Sequence, residues 1–246
     1  MLDALDAIKA DRAALIGICR GLTDDQWQAP SGCAGWSVQD VVAHLANLFW
    51  AVVDPGKLPD AAGQPMERAM EAGVAARRGL SPAAVLADYE QVSETGMTKL
   101  AELAALDVEV PLGEDFGTYS TQIAPCAYVF DHYTHIRADL FAPRGPLAGD
   151  PPPSDELRVV PTLDWIDAAL PQQNRSAAGQ CMLEIQVTGT GARLIKFGAG
   201  PVAATICSDA PALVRWVTQR GSWADLGVET TGDEQALAVA RTLKVF

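Results

Sequence analysis

Histidine is scarce in this chain. Only His44, His132 and His135 occur among its 246 residues, so any imidazole chemistry must come from these three. Long apolar runs are missing as well, and none approaches the roughly 18 residues that a membrane span needs. The amino-terminal stretch Met1-Leu2-Asp3-Ala4-Leu5-Asp6 lacks a basic segment followed by an apolar block, so it does not read as a signal peptide and a cytoplasmic location is the default expectation. Basic residues are outnumbered, 18 against 31 acidic ones, for a net charge of −13. That balance repels phosphate backbones and anionic lipid at long range, which disfavours nucleic-acid and membrane partners. The five cysteines, Cys19, Cys33, Cys126, Cys181 and Cys207, are odd in number and form no CxxC pair. Neither a disulfide framework nor a zinc ribbon is indicated, and most of them read as small buried apolar side chains.

What is present is ample core material, with 49% hydrophobic residues. The length fits one large domain or two of ordinary size. From residue 2 to 20, Leu5, Ile8, Leu15, Ile18 and Cys19 fall at helical spacing, and Gly21 is placed to end the helix. Ser37 followed by Asp40 forms a capping box with Trp36 before it. In the helix that follows, Val41, His44, Leu45, Leu48 and Val52 share one face, so His44 lies among core positions. Residues 54–63 read as loop and Met66 to Arg78 as helix. Ser81-Pro82 caps a long helix reaching about Leu106. Pro111, Gly113 and Gly117 imply an irregular connection from Asp107 to Ser120, and helical periodicity resumes from Ile123 to Leu140.

The proline- and glycine-rich stretch from Ala142 to Pro153 divides the chain. We read residues 1–142 as a helical domain, 143–157 as a stiff linker and 158–246 as an α+β domain. In the last of these, Cys181 to Val187 alternates with period two, Gly189-Thr190-Gly191 makes a turn, and Arg193 to Phe197 is a second strand. Val202 to Ile206 is a third strand, and helices follow at Ser208 to Gln219 and Asp233 to Thr242.

Chemistry concentrates on the helix ending at Leu140, where Tyr128, Asp131, His132, His135 and Asp139 fall along one side. Asp131 and His135 are four apart, a spacing that lets two side chains share one cation. With His44 from the other helix they would make three protein ligands around an open position. Of the adjacent pair, Asp131 is the first choice for the third ligand and His132 the second. The unchosen one, or Asp139, would orient a ligand from behind.

The block Gly35-Trp36-Ser37-Val38-Gln39-Asp40-Val41-Val42-Ala43-His44-Leu45 resembles the GW(S/T)xxDxxxHL signature of the amino-terminal domain of mycothiol-dependent maleylpyruvate isomerases, a branch of the DinB-like four-helix bundles. The resemblance covers roughly residues 1 to 142. It implies a divalent metal, usually zinc, held by His44, Asp131 and His135. In that branch the third ligand is usually Glu and the next acidic residue commonly follows the histidine by three, whereas here Asp139 follows His135 by four. The run from Thr205 to Gly221, with Val228 to Asp233, resembles the sterol-carrier-like α+β domain that accompanies this bundle. Its arginine facing the metal would be Arg220, with Arg215 as the alternative, and it would clamp a substrate carboxylate bidentately.

The resemblance thus implies a metal-dependent isomerase or S-transferase acting on a small electrophilic, carboxylate-bearing substrate with a mycothiol-type thiol as cosubstrate. The protein would be a monomer or homodimer. Two other readings stand beside it: a noncatalytic protein that binds metal and a small ligand, and a metal-dependent hydrolase with water in the open position.

Overall fold

Helix α1 (Ala4–Arg20) opens the chain and buries Ile8, Leu15, Ile16 and Cys19 against the helices that follow. The structure, a computed structural model, describes residues 4–60, 64, 66–177, 179 and 182–246. Part of the expected 54–63 loop, and Cys181 at the expected start of a strand, therefore lie outside the described residues. A short helix, α2 (Asp24–Gln28), occupies what reads as loop, and its Thr23–Gln26 capping box is a start signal the apolar pattern did not reveal.

Helix α3 (Val38–Val53) begins at the expected box. Ser37 Oγ accepts from Asp40 N–H at 3.2 Å, and an Asp40 carboxylate oxygen accepts from Ser37 N–H at 3.0 Å. After α4 (Met66–Ala75), helix α5 (Pro82–Ala104) runs beside α3, with Ser81 as its cap. The two pack closely because α5 carries Gly96 at the crossing, where a Cβ would overlap the Phe49 ring.

Residues 107–120 are more ordered than their glycines and proline imply. Strands β1 (Glu109–Pro111) and β2 (Thr118–Ser120) pair antiparallel. Nor is the helix from Ile123 to Leu140 uniform: α6 (Ala124–Thr134) continues into a π-helical turn from His135 to Leu140. The bundle core lies among α1, α3, α5, α6 and this turn.

Beyond it, helix α7 (Glu156–Gln173) fills a stretch that the periodicity reading leaves without an element. Pro161 and Pro171 lie inside it and mask its pattern, yet Asp155 caps its start. It packs on α1 and α6 on one side and against the sheet on the other. The preceding residues are fastened down: Pro153 O accepts from Arg137, Ser154 Oγ from the Tyr133 hydroxyl, and Leu147 is buried.

The sheet is ordered β4-β3-β5-β6, formed by β3 (Met182–Thr188), β4 (Arg193–Phe197), β5 (Val202–Asp209) and β6 (Glu229–Gly232). Strand β3 pairs antiparallel with β4 and parallel with β5, and β6 pairs antiparallel with β5. Helices α8 (Ala210–Val217), α9 (Trp223–Leu226) and α10 (Glu234–Thr242) complete this α+β region. Its core includes Tyr119, Cys126, Phe130 and Tyr133 from the helical region, so the two regions share apolar packing. No described helix is long and apolar enough to cross a membrane.

Candidate metal centre

A cleft of about 1050 Å³ opens between the helical region and the α+β region. Helix α3 brings His44 to its wall, α6 brings Asp131, and the π-helical turn that continues α6 brings His135. The nearest atoms are His44 Nε2 and Asp131 Oδ1 at 3.9 Å, and His135 Nε2 and the same oxygen at 3.7 Å. One ligand atom from each of the three can be chosen so that all lie within 4.8 Å of one another. Trp36, from the loop before α3, covers the histidines, with its ring centroid 5.1 Å from His44 and 6.4 Å from His135. Its indole N–H donates to Glu71 at 2.6 Å, which fixes the ring in place.

Two of the three groups are ready to accept a cation and the third holds a proton. Burial lowers the pKa of His44, outweighing the opposite pull of Asp131, so the ring stays neutral and keeps a lone pair. Burial works against ionisation of Asp131, but the neighbouring histidines hold its pKa below the usual carboxylate range. Burial also works to lower the pKa of His135, yet hydrogen bonds to Asp139 and Cys33 carry it up to about 10. A metal at His135 Nε2 therefore has to displace a proton. Two imidazoles and a carboxylate around a position open to a cleft are a donor set that suits a divalent cation.

Behind this group sits Asp139, wholly buried. Its Oδ2 lies 2.8 Å from His135 Nδ1 and accepts from the Cys33 thiol at 3.2 Å. The π-helical turn explains its spacing. Such a turn closes from i to i+5 and takes in one more residue than an α turn, which lets an acidic residue four positions on reach the back of the His135 ring.

His132 turns the other way. Its Nδ1 lies 2.8 Å from Tyr128 O and its Nε2 2.9 Å from the Tyr89 hydroxyl, so both ring nitrogens are engaged inside the core. Arg220 lies at the cleft, and its Nε and Nη2 grip Asp139 at 2.7 to 3.0 Å. Arg215 is not among the residues lining the cleft. It is half-buried behind Arg220, and the two are tied through the Arg220 N–H donating to Arg215 O at 2.6 Å. Cys33 joins the cluster although nothing in cysteine spacing singles it out; the available signal is its place three residues before Trp36.

A model of the mycothiol maleylpyruvate isomerase N-terminal domain matches residues 8–139, more than half of the chain. The chain belongs to this family. The helical region followed by a small α+β region is also the architecture of two crystal structures of the mycothiol-dependent maleylpyruvate isomerase, one of them a histidine-to-alanine mutant. They match with TM-scores of 0.61 and 0.60 at 18% identity, over 94% of this chain and 92% of theirs. At that identity the likeness shows a shared fold. No curated protein matches the chain. Within the mycothiol maleylpyruvate isomerase family signature, Asp40 has a structural part here, capping α3 and pairing with Arg78 at 3.2 Å.

Proposed function

We propose that the protein is a metal-dependent enzyme that uses a mycothiol-type thiol to isomerise a small electrophilic acid, or that transfers the thiol to it. The observation that carries this reading is the convergence of His44, Asp131 and His135 on one wall of the cleft. Those three residues would hold the metal, for which zinc suits the nitrogen and oxygen donors. A bound divalent cation would supply Lewis acidity that lowers the pKa of a thiol in the open position, so that thiolate is present at neutral pH.

The chain's own groups do the rest. Trp36, lying against the two histidines, would screen a sulfur bound beside them from part of the surrounding water. Among the described residues Arg144, Arg175 and Lys244 line the cleft without a carboxylate partner, which suits them to hold an anionic substrate against the wall bearing the thiol. In the isomerase version the thiolate adds to a conjugated double bond, rotation follows about the resulting single bond, and elimination restores the alkene and the thiol. In the transferase version the adduct leaves as product.

Elemental analysis of protein purified without added metal, followed by product analysis with unsaturated acids in the presence and absence of mycothiol, tests the proposal. Stoichiometric zinc and turnover only with thiol are expected. Cleavage products formed without thiol would favour the hydrolase reading, and a chain that holds no metal would sink the metal-dependent reading.

A further inference from the structure

We infer that the α+β region completes the metal centre: Arg220 is a positioning residue that acts on the ligand His135 through Asp139, rather than a group that binds substrate. The inference rests on the metal reading of the site. Arginine owes its value as a carboxylate clamp to its planar fork of donors, and in Arg220 that fork is already taken. Nε donates to both Asp139 oxygens at 2.9 and 3.0 Å, and Nη2 donates to Oδ2 at 2.7 Å and approaches Cys33 Sγ at 3.6 Å. Nη1 donates to Thr218 O at 3.1 Å. The side chain is only 16% exposed and its partner carboxylate 0%.

Asp139 in turn is the acceptor behind His135, so the fork sets where that carboxylate sits, and the carboxylate sets which way the ring faces. The backbone bends to make this contact. Gln219 adopts a left-handed conformation, φ 60°, directly before Arg220, and such residues persist only where surrounding contacts hold them. A second segment braces the same residue from the bundle side: Gly32 N–H donates to the Asp139 backbone carbonyl at 2.8 Å, and a Cβ on Gly32 would sit 2.8 Å from Asp139 Cα and Oδ1. Asp139 is thus pinned by the π-helical turn, the loop before α3 and the α+β region together.

Simple electrostatics and this positioning role have opposite consequences, which makes the inference testable. Removing a nearby positive charge should by itself favour a divalent cation. A weaker metal site in its absence can then come only from lost orientation of His135. The experiment is zinc titration against a chromophoric chelator, using metal-stripped full-length wild type, Arg220→Ala, Arg220→Lys, Asp139→Asn and, as a control away from the cleft, Arg193→Ala. Circular dichroism and thermal midpoints of the metal-free forms are measured alongside. Outer-sphere partners of metal ligands are worth about 10- to 100-fold in affinity, and a loss in that range is expected for both Arg220 variants and for Asp139→Asn, with Arg193→Ala unchanged. Arg220→Lys keeps the charge and loses the fork, so it decides the matter if Arg220→Ala does not fold. Unchanged or tighter zinc binding in the Arg220 variants overturns the inference while leaving the metal reading intact. A wild-type chain that binds no zinc overturns both.

Discussion

Adjacent residues on one helix can have opposite fates, and Asp131 and His132 show how. The Asp131 carboxylate faces the cleft near His44 and His135, whereas the His132 ring is sealed between Tyr89 and the Tyr128 carbonyl. We expect His44→Ala, Asp131→Ala and His135→Ala each to abolish tight zinc binding with little loss of helicity, read by mass spectrometry under native conditions. His132→Ala should keep zinc and instead lose about 2 kcal/mol or more of stability, because it leaves a cavity and takes the partner from the buried Tyr89 hydroxyl. Zinc loss in His132→Ala alone would reverse the assignment. The thiols divide in a similar way. Burial pushes Cys19 and Cys126 up to about 12, Cys19 further raised by Glu90 and Cys126 by Asp164. Neither should react with iodoacetamide at pH 7.5 in the native state, while half-buried Cys33 and Cys207 should, as peptide mapping would show. Because the unfolded thiols ionise near 9, the stability these two confer is full below about pH 9 and is lost as pH rises from there toward 12. Urea denaturation between pH 8 and 11 should show that decline, and show it less steeply in Cys19→Ala.

Helices here are specified by their ends and by where they touch. Removing the Ser37 hydroxyl with Ser37→Ala breaks the capping box of α3 and should cost about 1 kcal/mol in chemical denaturation. Gly96→Ala would gain about 1 kcal/mol from helix propensity, but its methyl group would overlap Phe49 where α3 and α5 cross. Overpacking of this kind costs about 1–3 kcal/mol, so a net loss of stability is expected, and a more stable variant would show that the two helices can part. The π-helical turn is the element most tied to the site. It begins at His135 and contains Asp139, and such turns are rare and frequently lie at functional sites.

At the scale of the molecule, the bundle and the α+β region are joined by charge as well as by apolar packing. Asp11 on α1 is wholly buried and accepts from Arg137 at 3.0 Å through both oxygens and from Arg158 Nε on α7 at 2.6 Å. Asp11→Ala would leave two arginines without their buried counterion, a change that costs about 3–5 kcal/mol. A loss under 1 kcal/mol in denaturant would show that solvent or Asp155 takes over. The shared core leads to a second expectation. A fragment ending at residue 145 would expose Tyr119, Cys126, Phe130 and Tyr133, which α7 and the sheet otherwise cover. It should be less soluble than the full chain and show early aggregation in light scattering.

The bundle and its capped helices were legible in the sequence because their signals are local: a capping box, a 3.6-residue apolar period, a proline at a first turn. Gly35 to Leu45 identified the family for the same reason, and the i, i+4 spacing of Asp131 and His135 could be read without a structure. Helix α7 was hidden, since Pro161 and Pro171 interrupt its pattern and its stability comes from burial between α6 and the sheet. The choice between Asp131 and His132 was also beyond the sequence. Neighbouring positions on a helix differ in direction by about a quarter turn, and only the packing of α3 and α5 around α6 decided which of them met the cleft. The meeting of Cys33, Asp139 and Arg220 is longer-range still, spanning 187 residues between Cys33 and Arg220. Local propensity carries no information about such a contact; it depends on how the α+β region docks on the bundle, which only the tertiary structure decided.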